Sequence, residues 1–256
     1  MYLTRFRFNT ARSEARRLLG SPHRLHGAVN MAFPEPPARD GDGPRVLWRL
    51  DHTSAGRVDL FVSSPSRPDL THLVEQAGWP SLGPEGWTTF AYAEFLDALR
   101  QGDTWAFRLT ANPVHHIRRE SDPPGAPTKR AAHVSTRHQI GWLLKHQERA
   151  GFAVVRRQAE DGSDMPGEEH EVYELIVHDR TPVRFGKPSG TGPAEVRTGG
   201  VRNGRAPAAP DVRFTRATYD GRLRITDLTA FRHTLTHGLG KAKAYGCGLM
   251  TLAPVR

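Results

Sequence analysis

Met1-Tyr-Leu-Thr-Arg-Phe-Arg-Phe8 opens the chain with a period of two. Tyr2, Thr4, Phe6 and Phe8 fall on one side; Leu3, Arg5 and Arg7 fall on the other. Such alternation predicts a half-buried strand. Thr10 to Leu19 then reads as a helix stopped by Gly20. Ser21-Pro22 supplies an N-cap and a first-turn proline, which predicts a second helix to about Met31. Val46 to Leu50 and Arg57 to Val62 read as strands around a Ser54-Ala55-Gly56 turn. A short helix over Tyr92 to Arg100 and a strand over Asp103 to Thr110 follow. The result is β-α-β-β-(α)-β within the first 112 residues, the split pattern of a ferredoxin-like domain.

Beyond it the α/β character repeats. Thr136 to Gly151 is amphipathic, with Ile140, Leu143 and Leu144 on one face. Phe152 to Arg157 and Val172 to His178 read as strands. Val212 to Tyr219 and Leu223 to Thr226 read as a hairpin turning at Asp220-Gly221. Asp227 caps a helix to Thr236, and Leu249 to Ala253 is a last strand. Pro34 to Pro44 and Phe185 to Pro210 are too rich in Gly and Pro for a core and are expected as loops. Residues 113–135 hold Pro123-Pro124-Gly125 and the basic pair Lys129-Arg130, and are expected as an inter-domain linker. The expected domains are therefore 1–112 and 136–256.

Charge narrows the partner. The 256 residues carry a net +9, and residues 180–224 alone hold ten Lys or Arg against three Asp or Glu. That excess favours a polyanion. The single cysteine, Cys247, excludes an internal disulfide framework and a multi-cysteine zinc site. No apolar run is long enough for a membrane span, and the first residues lack a signal peptide's apolar stretch. A cytoplasmic protein is expected.

Two places carry chemistry. His23 and His26 fall at i, i+3 in the first turns of the second helix, where two imidazoles could act as general base and general acid. The plain alternative, in a chain with 13 histidines, is a surface pair. The second place is Gly238-Leu-Gly240-Lys241-Ala-Lys243-Ala-Tyr-Gly246-Cys-Gly248. One glycine would cap the preceding helix; four with two lysines favour backbone contact with phosphate. The loop is not a nucleotide-binding P-loop: Ala242 follows Lys241, and the helix precedes rather than follows it. Cys247 reads as a packing residue. Arg213 and Arg216 lie three apart in a strand, hence on opposite faces, so one of them can meet a ligand.

Taken together, these marks resemble the CasE family, the CRISPR repeat-RNA endoribonuclease of type I-E (Cascade) systems. They are Met1-Tyr-Leu-Thr-Arg-Phe, Arg16-Arg17-Leu18-Leu19 with Pro22–His26, Val46-Leu47-Trp48-Arg49-Leu50, Phe107–Pro113, Lys129-Arg130, Trp142-Leu143 and the glycine loop. The resemblance covers nearly the whole chain. It implies an α+β fold of two tandem ferredoxin-like (RNA-recognition-like) domains, each an antiparallel sheet with helices on one face. It implies cleavage of the precursor CRISPR RNA hairpin without metal or other cofactor. The 2′-hydroxyl attacks and leaves a 2′,3′-cyclic phosphate and a 5′-hydroxyl, and the product stays bound beside other Cascade subunits. His26 matches the family's catalytic histidine. Some members have tyrosine where this chain has His23. The RNA contacts expected are Lys129, Arg130, Arg213, Gly238, Gly240, Lys241, Lys243 and Gly246, with Arg213 and Lys241 as candidates to stabilise the phosphorane. The alternative is a hairpin-binding ribonucleoprotein subunit that does not cleave.

Overall fold

The computed structural model describes residues 1–35, 43–53, 55–81, 86–117, 128–158, 172–186 and 211–255, without the side chains of Lys129, Arg130 and Asp211. Two antiparallel sheets dominate it. The first is built from β1 (Tyr2–Arg7), β2 (Leu47–His52), β3 (Val58–Ser64) and β4 (Trp87–Ala91) in the order β2-β3-β1-β4. Helices α1 (Ser13–Leu19) and α2 (Pro22–Asn30) connect β1 to β2, and α3 (Thr71–Ala77) connects β3 to β4. This is the β-α-β-β-α-β order of a ferredoxin-like unit. The alternation of β1 puts Thr4, Phe6 and Phe8 in the interior and leaves Arg5 and Arg7 exposed. Phe6, Phe8, Leu25, Val29, Trp48, Leu60 and Leu73 form its core.

The same order recurs. After α4 (Tyr92–Ala98), strand β5 (Thr104–Ala111) is followed by α5 (Thr136–Gln147), β8 (Phe152–Val154), β9 (Leu175–Gly186), β10 (Asp211–Ile225), α6 (Leu228–His237) and β11 (Met250–Ala253). The sheet runs β11-β5-β10-β8, with β9 also on β10. Strands β8 and β9 are one edge interrupted: β8 lies against Leu223–Ile225 and β9 continues in the same sense along Gly221 to Asp211. Phe107, Leu109, Leu143, Phe152, Tyr219, Phe231 and Met250 fill this second core. The chain thus folds as two tandem ferredoxin-like units.

Three details differ from the sequence reading. The strand at 104–111 does not close the first unit. It opens the second, pairing with β10 and β11, while the missed Trp87–Ala91 closes the first sheet against β1. The expected limits 1–112 and 136–256 therefore cut across the second sheet. Residues 113–135 are more than a linker: β6 (Val114–Ile117) and β7 (Lys129–Ala132) pair as an antiparallel ribbon. Asp220-Gly221 is no turn, since β10 continues through it. A side chain at Gly221 would run into the Glu174 carbonyl oxygen, so glycine is there for the close approach of the neighbouring edge. The expected loops at 34–44 and 185–210 lie largely outside the described residues. Among the described residues no helix is long and apolar enough to cross a membrane.

The two sheets meet at Arg49, which is 1% exposed. Its Nε and Nη2 donate to the Asp51 carboxylate at 2.6 and 2.9 Å. Nη1 donates to the carbonyls of Arg108 and Leu249 at 2.8 and 3.2 Å, and Nη2 to Thr251 Oγ1 at 2.8 Å. Arg108 in turn binds both oxygens of Asp220, at 2.7 and 2.5 Å. Burial pushes the Asp220 carboxyl upward, but Arg108 and then His178 outweigh it and hold the carboxyl below its ordinary range.

Removing the Arg49 guanidinium takes the closer cation from Asp51, which keeps Arg108 Nη1 at 3.5 Å, and the donor from the carbonyls of Arg108 and Leu249. Arg49→Ala is expected to cost about 3–5 kcal/mol in denaturant unfolding. Arg49→Met combined with Asp51→Leu recovers most of that loss; a small loss in the single variant would refute the clasp. Asp220 titrates lower folded than unfolded, so its contribution is full above about pH 4 and fades as pH falls through the folded value. Asp220→Asn is therefore expected to destabilise at neutral pH, with the gap to wild type closing in acid. A gap that holds constant down to pH 2 contradicts this assignment.

Candidate functional site

Helix α2 forms where the sequence places it. Ser21 Oγ accepts from the Arg24 N–H at 3.4 Å, Pro22 occupies the first turn, and Leu25, Ala28 and Val29 are buried. The same helix carries the two histidines, both partly exposed. The Asn30 amide donates to His26 Nε2 at 3.3 Å, one turn further along. Among the described residues His23 has no hydrogen-bond partner and no ring contact.

The glycine loop comes from the other end of the chain and lies against this helix. Lys243–Tyr245 forms a 3-10 turn between two left-handed residues, Ala242 (φ 59°) and Gly246 (φ 81°). The Tyr245 ring meets the His26 ring edge to face, with centroids 6.4 Å apart. All four loop glycines have positive φ. A side chain at Gly246 would lie 2.6 Å from Trp48 of β2, and one at Gly240 would lie 3.0 Å from Trp142 of α5. Packing and backbone conformation thus account for these glycines. The reading of Gly238, Gly240 and Gly246 as phosphate contacts loses its argument from their number, and the lysines carry it instead.

Lys241 is exposed and Lys243 half-buried. Burial, then Arg45, then Lys241 bring the Lys243 ammonium below its ordinary value. Three cations share this corner, and among the described residues no carboxylate pairs with any of them. Arg45 is held there by its N–H donating to the Thr236 carbonyl at 3.1 Å. The arrangement favours an anion. Cys247 is fully buried, and burial pushes its thiol up to about 12, which suits packing and not nucleophilic attack.

Arg213 lies directly opposite Arg184 on the β9–β10 ribbon. Phe185 and Phe214 contact Tyr245, at 4.8 and 6.0 Å between centroids. Strand alternation puts Arg213 on the opposite face from Phe214, and so away from His26. Arg216 shares the Phe214 face and lines a cleft of about 230 Å³ between the sheets with Leu50, His52, Thr110 and Thr218. Of the two arginines, Arg216 is thus the one on the loop side. Lys129 and Arg130 stand in β7, and their side chains lie outside the described residues. Arg45, Asn30 and Tyr245 are not among the site residues that the sequence suggests, whereas Arg216 is the second of the two strand arginines it offers. Of the first three, only Tyr245, inside the glycine motif, carries a local signal.

Elsewhere the His133 ring stacks on His115 at 4.4 Å and lies tilted against His138 at 5.7 Å between centroids. Burial, then His115 and His138, hold the His133 ring below its ordinary value. Among the described residues no group of three or more His, Cys, Asp or Glu side chains is arranged to hold a metal ion.

Known proteins resemble this architecture over its full length. A CRISPR-associated endoribonuclease, Cse3 of Thermus thermophilus, is 27% identical over 255 residues, covering 99% of this chain and all of its own. The structure of Thermus thermophilus Cse3 bound to an RNA representing a pre-cleavage complex matches with a TM-score of 0.66 at 25% identity. That match covers 99% of this chain and 98% of that one. The Cas6e protein of Escherichia coli K-12 shares the fold, with a TM-score of 0.54 at 20% identity over the whole of both chains. The model of the family described as CRISPR associated protein matches residues 1–254. The chain belongs to that CRISPR-associated family.

Proposed function

We propose that the chain is a metal-independent endoribonuclease that cuts the repeat hairpin of precursor CRISPR RNA. It then remains on its product as a Cascade subunit in the cytoplasm. The observation that carries this reading is the meeting of α2 and the glycine loop: His26 lies against Tyr245, in a turn whose two lysines and Arg45 make a cationic corner. The full-length likeness to a CRISPR-associated endoribonuclease supports it.

The chemistry needs little from the protein. RNA brings its own nucleophile, the 2′-hydroxyl beside the scissile phosphate. One group takes the proton from that hydroxyl as its oxygen forms the new P–O bond. Another gives a proton to the 5′-oxygen as the old P–O bond breaks. The products are a 2′,3′-cyclic phosphate and a 5′-hydroxyl. His26 performs one transfer and His23, one turn earlier on the same helix, the other. Lys241, Lys243 and Arg45 offset the charge that gathers on the phosphorane oxygens. A phosphate seated among them would also relieve the mutual repulsion that lowers the Lys243 ammonium.

Incubation with a repeat hairpin in EDTA is expected to give a single cut carrying a cyclic phosphate end. Positioned acid–base groups contribute about 10²–10⁴-fold, so His26→Ala is expected to slow the cut by that order while hairpin binding survives. No cut by the wild type, or undiminished cutting by His26→Ala, would overturn the reading. Hairpin binding without cleavage in both proteins would instead identify a purely structural subunit. Lys241→Ala and Lys243→Ala are expected to weaken hairpin binding. Each is also expected to flatten its salt dependence, by about one unit of log–log slope for every phosphate no longer neutralised. Unchanged slopes would remove the lysines from the interface.

A further inference from the structure

His26 is held from two sides. The Asn30 amide reaches Nε2 along the helix, and the Tyr245 ring closes on the imidazole at an interplanar angle of 68°. The second side-chain torsion of a histidine is intrinsically broad, because it joins a tetrahedral to a planar carbon. A ring packed against the imidazole narrows it.

Tyr245 is itself closely confined. Phe185 meets it edge to face, and Phe214 stacks on it at 23° between planes. Its turn is fixed between Ala242, a non-glycine residue in the left-handed region, and Gly246, which is backed against Trp48. A non-glycine residue in that region is kept only where its surroundings over-determine it. The aromatic set therefore runs from the β9–β10 ribbon through Tyr245 to the histidine on α2, joining the two units at the point where the cut is proposed.

We infer that Tyr245 is a positioning residue for the cleavage. Its ring, and not its hydroxyl, holds the His26 imidazole in the orientation that proton transfer requires. The inference rests on the reading of His26 as a proton-transfer group. It assigns Tyr245 no bond made or broken and no contact with RNA.

The test uses the full chain and a repeat hairpin under single-turnover conditions, with three variants. Tyr245→Phe retains the ring and is expected to cut near the wild-type rate. Tyr245→Ala removes it, and Tyr245→Leu removes it while keeping apolar volume in the turn. Misplacing a reacting group by about 1 Å can cost on the order of 10²-fold, and a loss of that order is expected in both, with hairpin affinity unchanged. In the RNA-free protein, the carbon-bound ring protons of His26 are expected to shift in the NMR spectrum when the neighbouring ring is removed. Their titration midpoint is expected to move together with that of the pH–rate profile. Wild-type rates in Tyr245→Ala and Tyr245→Leu would overturn the inference alone. A loss in Tyr245→Phe equal to that in Tyr245→Ala would overturn it by showing the hydroxyl at work. A fall in affinity that matches the fall in rate would overturn it by making Tyr245 an RNA contact. Cutting by His26→Ala at the wild-type rate would sink the functional reading itself, a result separate from each of these.

Discussion

Arg49 takes a full positive charge to a place almost closed to water, and its partners on both sheets make that tolerable. Asp51, on the same strand, neutralises it. The carbonyls of Arg108 and Leu249 and the hydroxyl of Thr251 also accept from the guanidinium, and all of them belong to the second unit. The Phe61 ring lies 5.4 Å from the guanidinium. A buried pair of this kind contributes little net stability compared with apolar side chains of the same size. Its effect is directional: a planar guanidinium with donors in fixed positions accepts one register of β2 against β11 and β5. The neighbours of Arg49 on β2 are Leu47 and Trp48, the side chains against which Gly238 and Gly246 are packed. Fixing β2 therefore fixes the seat of the glycine loop.

From that seat the rest of the site follows. With the loop set on Trp48, its 3-10 turn projects Tyr245 toward α2, and the caps of α2 fix where His26 stands along the helix. The cationic corner depends on the same geometry. Lys241 and Lys243 come from the loop, and Arg45 precedes β2 and is tied to the end of α6 through Thr236. A histidine near residue 26 and lysines near residue 242 are thus brought together by one strand, although more than 200 positions separate them in the chain.

Local signals were legible and long-range ones were not. The cap at Ser21-Pro22, the alternation of Tyr2–Phe8 and the cap at Asp227 each act within a few residues, and each element stands where those signals put it. The sequence of β5 shows a strand but not its sheet, because pairing with β10 is a contact across more than 100 positions and leaves no local trace. Trp87–Ala91 carries no strand signal, since its exposed Thr88, Phe90 and Ala91 show no clear apolar face. Asp220-Gly221 has the composition of a turn. What prevents one is the Glu174 carbonyl, just before β9, against Gly221 and the Arg108 guanidinium of β5 on Asp220. In the candidate site, the place of His26 on α2 is legible from the Ser21-Pro22 cap and its spacing. That of Tyr245 is not, because nothing in Ala-Tyr-Gly says which helix the ring will face.

The glycine loop shows that composition alone does not say why glycines gather in one segment. Four glycines suggested bare backbone around a phosphate, yet their conformations and close contacts are those of a segment pressed between Trp48, Trp142 and Leu47. A loop made rigid in this way bears a cost that a flexible one would avoid. It holds Lys243 half out of water, close to two other cations, and that repulsion counts against the folded state until an anion arrives. A surface lysine on a mobile loop would escape the cost, but it would spend part of its binding free energy on ordering. Under the proposed function, a phosphate in the corner would relieve that repulsion, and the turn would need no rearrangement to meet it beside His26. The same packing that stabilises the junction of the two units thus pre-organises the place where an anion and the histidine would meet.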